Sequence, residues 1–200
     1  MKQTHGLSVV MAAGEAAQGT KGSTIGEKMN PPDPIFGAFL ERQAEEGRAL
    51  AQASDILDLD CLPTGQHFLA HYACRGLVKG PDNVVREAEG FHVCVFFGAA
   101  YLRTVNPIEV LTFLGPLNTF HPNLAFGAPF ICVGRITPGM PLVDLLYQVY
   151  EILSYQKLTP REDDALNREA CIWARANQHR FPIDRRPLKR RPLVLEVERI

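Results

Sequence analysis

Two runs with a period of two, joined through a strong turn signal, restrict what this chain can fold into. They are HFLAHYACRGLV (67–78) and GFHVCVFFG (90–98), with Gly80-Pro81-Asp82 between them. In the first, Phe68, Ala70, Tyr72 and Cys74 alternate with Leu69, His71 and Ala73; in the second, Phe91, Val93, Val95 and Phe97 alternate with His92, Cys94 and Phe96. Alternation puts one set of side chains on each face of a strand. A Gly-Pro-Asp turn between two such runs predicts an antiparallel pair. A third strand is predicted over IEVLTFLG (108–115), after Asn106-Pro107, and a short leading strand over 57–61. Together they form an antiparallel meander of about four strands, and a sheet of that kind needs a covering layer on one face.

Helical spacing before and after the meander supplies that layer. Asp33-Pro34 is a good cap and first-turn pair for a helix over IFGAFLERQAEEGRALAQAS, with Phe36, Leu40, Ala44 and Ala51 near one face. Residues 141–158 repeat Leu142, Leu145, Leu146, Val149, Ile152 and Leu153 at helical spacing. A last helix is predicted over 163–177, starting in acidic residues and carrying Leu166, Ala170, Trp173 and Ala174 on one stripe. The predicted class is α+β: an N-terminal helix, the meander, an irregular cysteine loop, and C-terminal helices packed on the sheet.

Two hundred residues at 46% hydrophobic content suit one compact domain. The sequence divides into a flexible Gly/Ala/Ser/Thr-rich extension (1–30), an ordered domain (31–184) and a basic tail (185–200). Arg185, Arg186, Lys189, Arg190 and Arg191 cluster in that tail, which reads as a solvated, proline-broken end or as a docking patch for an acidic partner. A formal charge of -1 gives no general nucleic-acid or membrane signal. No apolar stretch approaches the about 20 residues needed to span a bilayer, and LSVVMAA near the start is too short for a signal peptide. The expected compartment is the reducing cytoplasm.

The five cysteines (Cys61, Cys74, Cys94, Cys132 and Cys171) include no CxxC pair, which argues against a disulfide framework and a structural zinc site. Cys74 and Cys94 alternate with large apolar residues in strands, and Cys171 sits beside Ile172 and Trp173 in a helix, so all three read as packing residues. His67, His71 and His92 read as sheet residues without metal-ligand spacing. No metal and no cofactor are expected. Cys132 differs, because it closes HPNLAFGAPFIC (121–132). A thiolate is a nucleophile, and an asparagine amide is a neutral donor suited to an oxyanion. Pro122 would fix the turn and His121 brace it by hydrogen bonding.

The ordered set of segments resembles the ubiquitin-conjugating enzymes (the UBC fold), especially divergent bacterial members. The resemblance covers about residues 33–184. It rests on YACRGLVKGPDN, EGFHVCVFFG and PIEVLTFLG, on HPN followed shortly by IC, and on LVDLLYQVYEILS and DDALNREACIWARANQ. It implies that Cys132 carries a ubiquitin-like modifier as a thioester, received from a ubiquitin-activating-like enzyme and passed to a lysine of a protein substrate. Asn123 would stabilise the oxyanion or the loop, with His121 and Pro122 shaping that loop. Asp164, with Asp163 as the neighbouring alternative, would ease deprotonation of the lysine; helix capping is the competing role for both. An antiviral conjugation system is the setting that such bacterial relatives suggest.

The chain departs from the family pattern in its apolar eight-residue spacer LAFGAPFI and in lacking the Trp-Ser-Pro element after the cysteine. Its first helix is also acid-rich at the centre. These differences imply a dedicated, non-eukaryotic partner set. Two other readings stand beside the transferase: a non-catalytic UBC-fold scaffold that binds a ubiquitin-like protein, and a cysteine hydrolase pairing Cys132 with His121.

Overall fold

The computed structural model describes residues 33–190. The extension expected over 1–30 and the end of the basic tail, 191–200, lie outside them. Asp33 caps the first helix through its carboxylate, which accepts from the Ile35 and Phe36 amides, and Pro34 opens α1 (Pro34–Gln52). Its buried side is Phe36, Phe39, Gln43, Gly47 and Leu50. Leu40 and Ala51, expected on that face, are only half-buried. The close approach depends on Gly47, where a Cβ would lie 2.7 Å from Leu59 and 2.9 Å from Leu142.

Four strands follow: β1 (Leu57–Cys61), β2 (His67–Lys79), β3 (Val85–Phe96) and, later, β4 (Leu111–Gly115). They form one open antiparallel sheet in the order β1-β2-β3-β4. Phe68, Ala70, Tyr72, Cys74, Phe91, Val93, Val95 and Phe97 are all buried, as the alternation requires. His67, Leu69, His71, His92, Cys94 and Phe96 point away from that core and are half-buried or exposed. β3 starts at Val85, five residues earlier than the apolar alternation, because Val85–Glu89 continue the pairing opposite Arg75–Lys79.

The expected strand over 108–115 is half wrong. Asn106 caps a short helix, α2 (Pro107–Val110), by accepting from the Ile108 amide, and only Leu111–Gly115 is extended. Proline after a capping asparagine is a helix-start signal, and here it overrides the β-branched residues behind it. The third helix, α3 (Leu142–Leu153), ends five residues before the limit set by its apolar pattern. Tyr155 then takes a left-handed φ of 61°. Tyr72 anchors α3 to the sheet by donating to the Leu146 carbonyl at 3.0 Å.

The helix expected from Asp163 is also corrected. Glu162–Asp164 form a separate 3₁₀ turn, and α4 (Arg168–Ala176) begins only after Asn167, whose side chain accepts from the Ala170 amide. The acidic run is therefore not the first turn of that helix.

β2 is 13 residues long and β1 is five, so most of one β2 edge extends past its neighbour. Later chain completes it. Asp184 accepts from the Arg75 amide at 2.8 Å, and Arg186 donates to the Ala73 carbonyl at 2.9 Å. Further along, the Phe120 amide donates to Leu77 and the Lys79 amide to Asn118. An uncovered edge would leave these groups to water or to another chain. The same pairing fixes residues 118–120 immediately ahead of His121.

Of the basic segment expected over 185–200, residues 185–190 are described, and they pack against the domain through Leu188 and paired arginines. Leu188 is buried, Arg186 is paired with Asp184, and Arg190 reaches Asp55 and the Gln52 carbonyl. Arg185, Arg186, Lys189 and Arg190 all remain exposed.

Candidate functional site

Thr119 and Phe120 hand the chain to a buried turn, His121-Pro122-Asn123. His121 has no solvent exposure, and its ring packs edge-on against Tyr155 at 4.3 Å. Its Nδ1 accepts from the Asn123 amide at 3.0 Å, which places the ring proton on Nε2. That Nε2 makes no hydrogen bond. Burial drives the imidazole towards the neutral form, with its pKa pulled down to about 3, and the nearby Lys157 carbonyl opposes this only in part. His121 makes no hydrogen bond to Cys132, so the Cys132–His121 hydrolase pairing is not assembled.

A histidine kept neutral when folded has a definite pH consequence. The unfolded chain takes up a proton as pH falls through about 6.5, while the folded chain does not until about pH 3. Stability is therefore fully present above pH 6.5 and lost as pH falls across that window. The expected slope from this residue is about 1.4 kcal/mol per pH unit. Urea unfolding between pH 7 and 4.5 should show it, and His121→Gln should flatten it. His92, also held low by burial and by His71, contributes in the same direction.

Asn123 is the hub of the site. Its Nδ2 donates to the Cys132 carbonyl, its Oδ1 accepts from the Thr159 amide, and its own carbonyl accepts from the Cys132 amide, each at 2.8 Å. The side chain thus clamps the cysteine's backbone and the segment after α3. The oxygen and one of the two Nδ2 hydrogens are thus engaged by backbone, and the second Nδ2 hydrogen lies outside these bonds. Asn123→Ala leaves the Cys132 carbonyl and the Thr159 amide without partners, at about 1–3 kcal/mol for each group that stays dry. A loss of roughly 2–4 kcal/mol is expected in urea unfolding, with faster hydrogen exchange at the Cys132 and Thr159 amides.

The spacer between the turn and the cysteine is a short doubled-back loop. Leu124 bridges Ile131, the Ala125 amide donates to Phe130, and Gly127 turns the tip at a φ of 74°. It lies on the free edge of β4, where Pro129 accepts from the Phe113 amide at 3.0 Å. This places Cys132 on the surface. Burial pushes the thiols of Cys74, Cys94 and Cys171 up, Cys74 to about 12, so they are poor nucleophiles.

An apolar cavity of about 230 Å³ opens beside Cys132, lined by Ile108 and Leu111 below it, Phe130, Ile136 and Leu166. Ile108, Phe130 and Leu166 are 65%, 45% and 46% exposed, so three unrelated segments place large apolar side chains around one thiol. Asp163 and Asp164 lie on the exposed turn that precedes Leu166, and Asp164 pairs with Arg161 at 3.6 Å. Neither hydrogen-bonds the Cys132 segment. The link to that side of the site is Asn167, whose amide donates to the Pro122 carbonyl at 3.1 Å.

Sequence reasoning missed Thr159, Asn167 and Lys157. Asn167 carried a readable signal, a capping residue ahead of a helix, masked by the acidic run before it. Thr159 and Lys157 carried none, since they act through a backbone amide and through a carbonyl 24 residues away. Among the described residues, no group of three or more His, Cys, Asp or Glu is arranged to hold a metal ion, and no helix is long and apolar enough to cross a membrane.

What the fold and site define is an α+β domain with one exposed cysteine held in a rigid surface loop. No known family model matches the chain, and no curated protein matches it.

Proposed function

We propose that the chain is a ubiquitin-conjugating-like enzyme of UBC-like fold that carries a ubiquitin-like modifier on Cys132. The observation that carries this reading is the clamp between Asn123 and Cys132. An exposed thiol is fixed by hydrogen bonds to its own amide and carbonyl, at the end of a loop preceded by a buried His-Pro turn. A helix before the antiparallel meander and two after it support the same reading.

In the first step the Cys132 sulfur attacks the modifier's C-terminal thioester carbonyl on an activating enzyme. A new C–S bond forms to Cys132, the old one breaks, and the activating enzyme's thiolate takes the proton. In the second, a lysine amine of the protein substrate attacks that carbonyl, a C–N bond forms, and Cys132 leaves as thiolate. The amine's proton passes to Asp164, or to Asp163 beside it, or to water. Positioned proton transfer is worth about 10²–10⁴-fold. Asn123 acts as a positioning residue, holding the sulfur's backbone still through both steps. A reducing cytoplasm, which keeps an exposed thiol free, suits this chemistry.

The engagement of both Asn123 amide groups favours one alternative, a non-catalytic scaffold that binds a ubiquitin-like protein. Incubation with ATP and a purified activating enzyme and modifier from the same source separates the two. The transferase gives an adduct on the Cys132 peptide that a thiol reductant releases. Binding without an adduct establishes the scaffold.

A further inference from the structure

Lys157 is a half-buried cation, and among the described residues it has no carboxylate partner within ion-pair distance. Its ammonium donates to the Val133 carbonyl at 2.7 Å and lies 3.5 Å from the Gln148 side-chain oxygen. Val133 directly follows Cys132. Beyond it, Gly134 takes a φ of 99°, and a Cβ there would sit 3.9 Å from the ammonium, an ordinary contact distance. An ammonium has three donors, and these two contacts leave one uncommitted. Among the described residues, no other charged side chain hydrogen-bonds the 132–134 segment. A partly buried cation without a counterion projects its field outward, because low polarisability around it weakens screening.

We propose that Lys157 is the electrostatic positioning residue of the Cys132 site. It holds the segment after the thiol in place through Val133, and its charge favours an anionic group at the sulfur: the oxygen that becomes negative when an acyl carbonyl there is attacked. Lys157 would act beside Asn123, whose side-chain amide is held by the Cys132 carbonyl and the Thr159 amide. It rests on Cys132 as the acyl carrier, but the charge can be read without any modifier. Other charges on the surrounding elements are Asp144 and Glu151 on α3, Arg135 on the cysteine's own segment, Glu109 on α2 (held by Asn106), and Glu162, Asp163 and the Arg161–Asp164 pair on the turn before Leu166. The neighbouring imidazole, His121, is buried and uncharged at neutral pH.

The test uses two alkylating reagents that form the same C–S bond with loss of iodide, iodoacetate (anionic) and iodoacetamide (neutral). Rates are read at the Cys132 peptide by mass spectrometry of the intact chain, with exposed Cys61 as internal reference. The iodoacetate-to-iodoacetamide ratio at Cys132 is expected to exceed that at Cys61 several-fold and to fall towards it as salt is raised. Lys157→Met should lower the ratio to the Cys61 level, and Lys157→Arg should restore most of it. A purely structural role would change both rates together and leave the ratio alone. If Lys157→Met fails to fold, the salt dependence of the unaltered chain decides. A ratio equal to that of Cys61 at low salt, or unchanged in folded Lys157→Met, overturns the proposal. The adduct assay above can fail while this ratio holds, so the two readings fall separately.

Discussion

Cys132→Ala is expected to abolish the reductant-sensitive adduct completely, and Cys132→Ser to replace it with one that survives reductant. A serine oxygen in the same clamp would form an ordinary ester, which thiols cleave far more slowly than a thioester. The other cysteines give no substitute. Cys74 and Cys171 are buried, Cys94 is half-buried on the outer sheet face, and Cys61 lies at the end of β1 without a comparable polar frame. Stability should barely move, because the Asn123 clamp grips the residue's backbone and the side chain is exposed. A complete loss of adduct with an unchanged urea midpoint is the expected pair of results. An adduct that persists in Cys132→Ala removes the thioester assignment.

A second large effect on stability is expected far from the thiol. Asp184 is fully buried, and its carboxylate accepts from the Arg75 amide, the Arg186 amide and the Arg186 guanidinium. Burial works against its ionisation, but these donors overcome it and hold its pKa at about 2. Asp184→Ala removes the acceptor from the Arg75 and Arg186 amides and from the Arg186 guanidinium. Breaking a buried pair costs about 3–5 kcal/mol; because Arg186 is half-exposed and can return to water, about 3 kcal/mol is expected. For a domain of this size that corresponds to a melting temperature lower by roughly 6–12 °C. Arg186→Met should cost less, since Asp184 keeps the Arg75 amide. A fall of under 1 kcal/mol in Asp184→Ala, measured by urea unfolding, would show that the edge is satisfied by water instead.

The sheet was the most legible part of this sequence, for a physical reason. Period-two burial is written locally, residue by residue, and Phe68 to Cys74 and Phe91 to Phe97 face the core as their spacing requires. Even the short strand 57–61 was readable. What could not be read locally was decided by competition. At 106–110 a capping asparagine and a proline outweighed a β-prone run. At 163–167 a better-placed cap, Asn167, took the helix start from the acids before it. In the basic segment, charge counts do not show pairing. Arg186 and Arg190 look like solvated residues until the uncovered edge of β2 and the end of α1 are in view. In the site, the residue types at 121–123 and 132 were legible and the hydrogen bonds were not. Only the fold shows that the Asn123 oxygen and one of its two N–H donors are committed to backbone.

The cluster beneath the His121 turn joins Leu77, Phe120, Tyr155, Ala170, Ala174 and Ile183. It therefore has an order of assembly during synthesis. A nascent chain presents its thiol well before the ribosome has released Ala170 or Ile183, and until then the turn lacks half its floor. The turn gains its full apolar floor only when residues up to Ile183 are present. A chain truncated before Ala170 would carry the cysteine without that floor, and on the thioester reading proposed above it should load poorly.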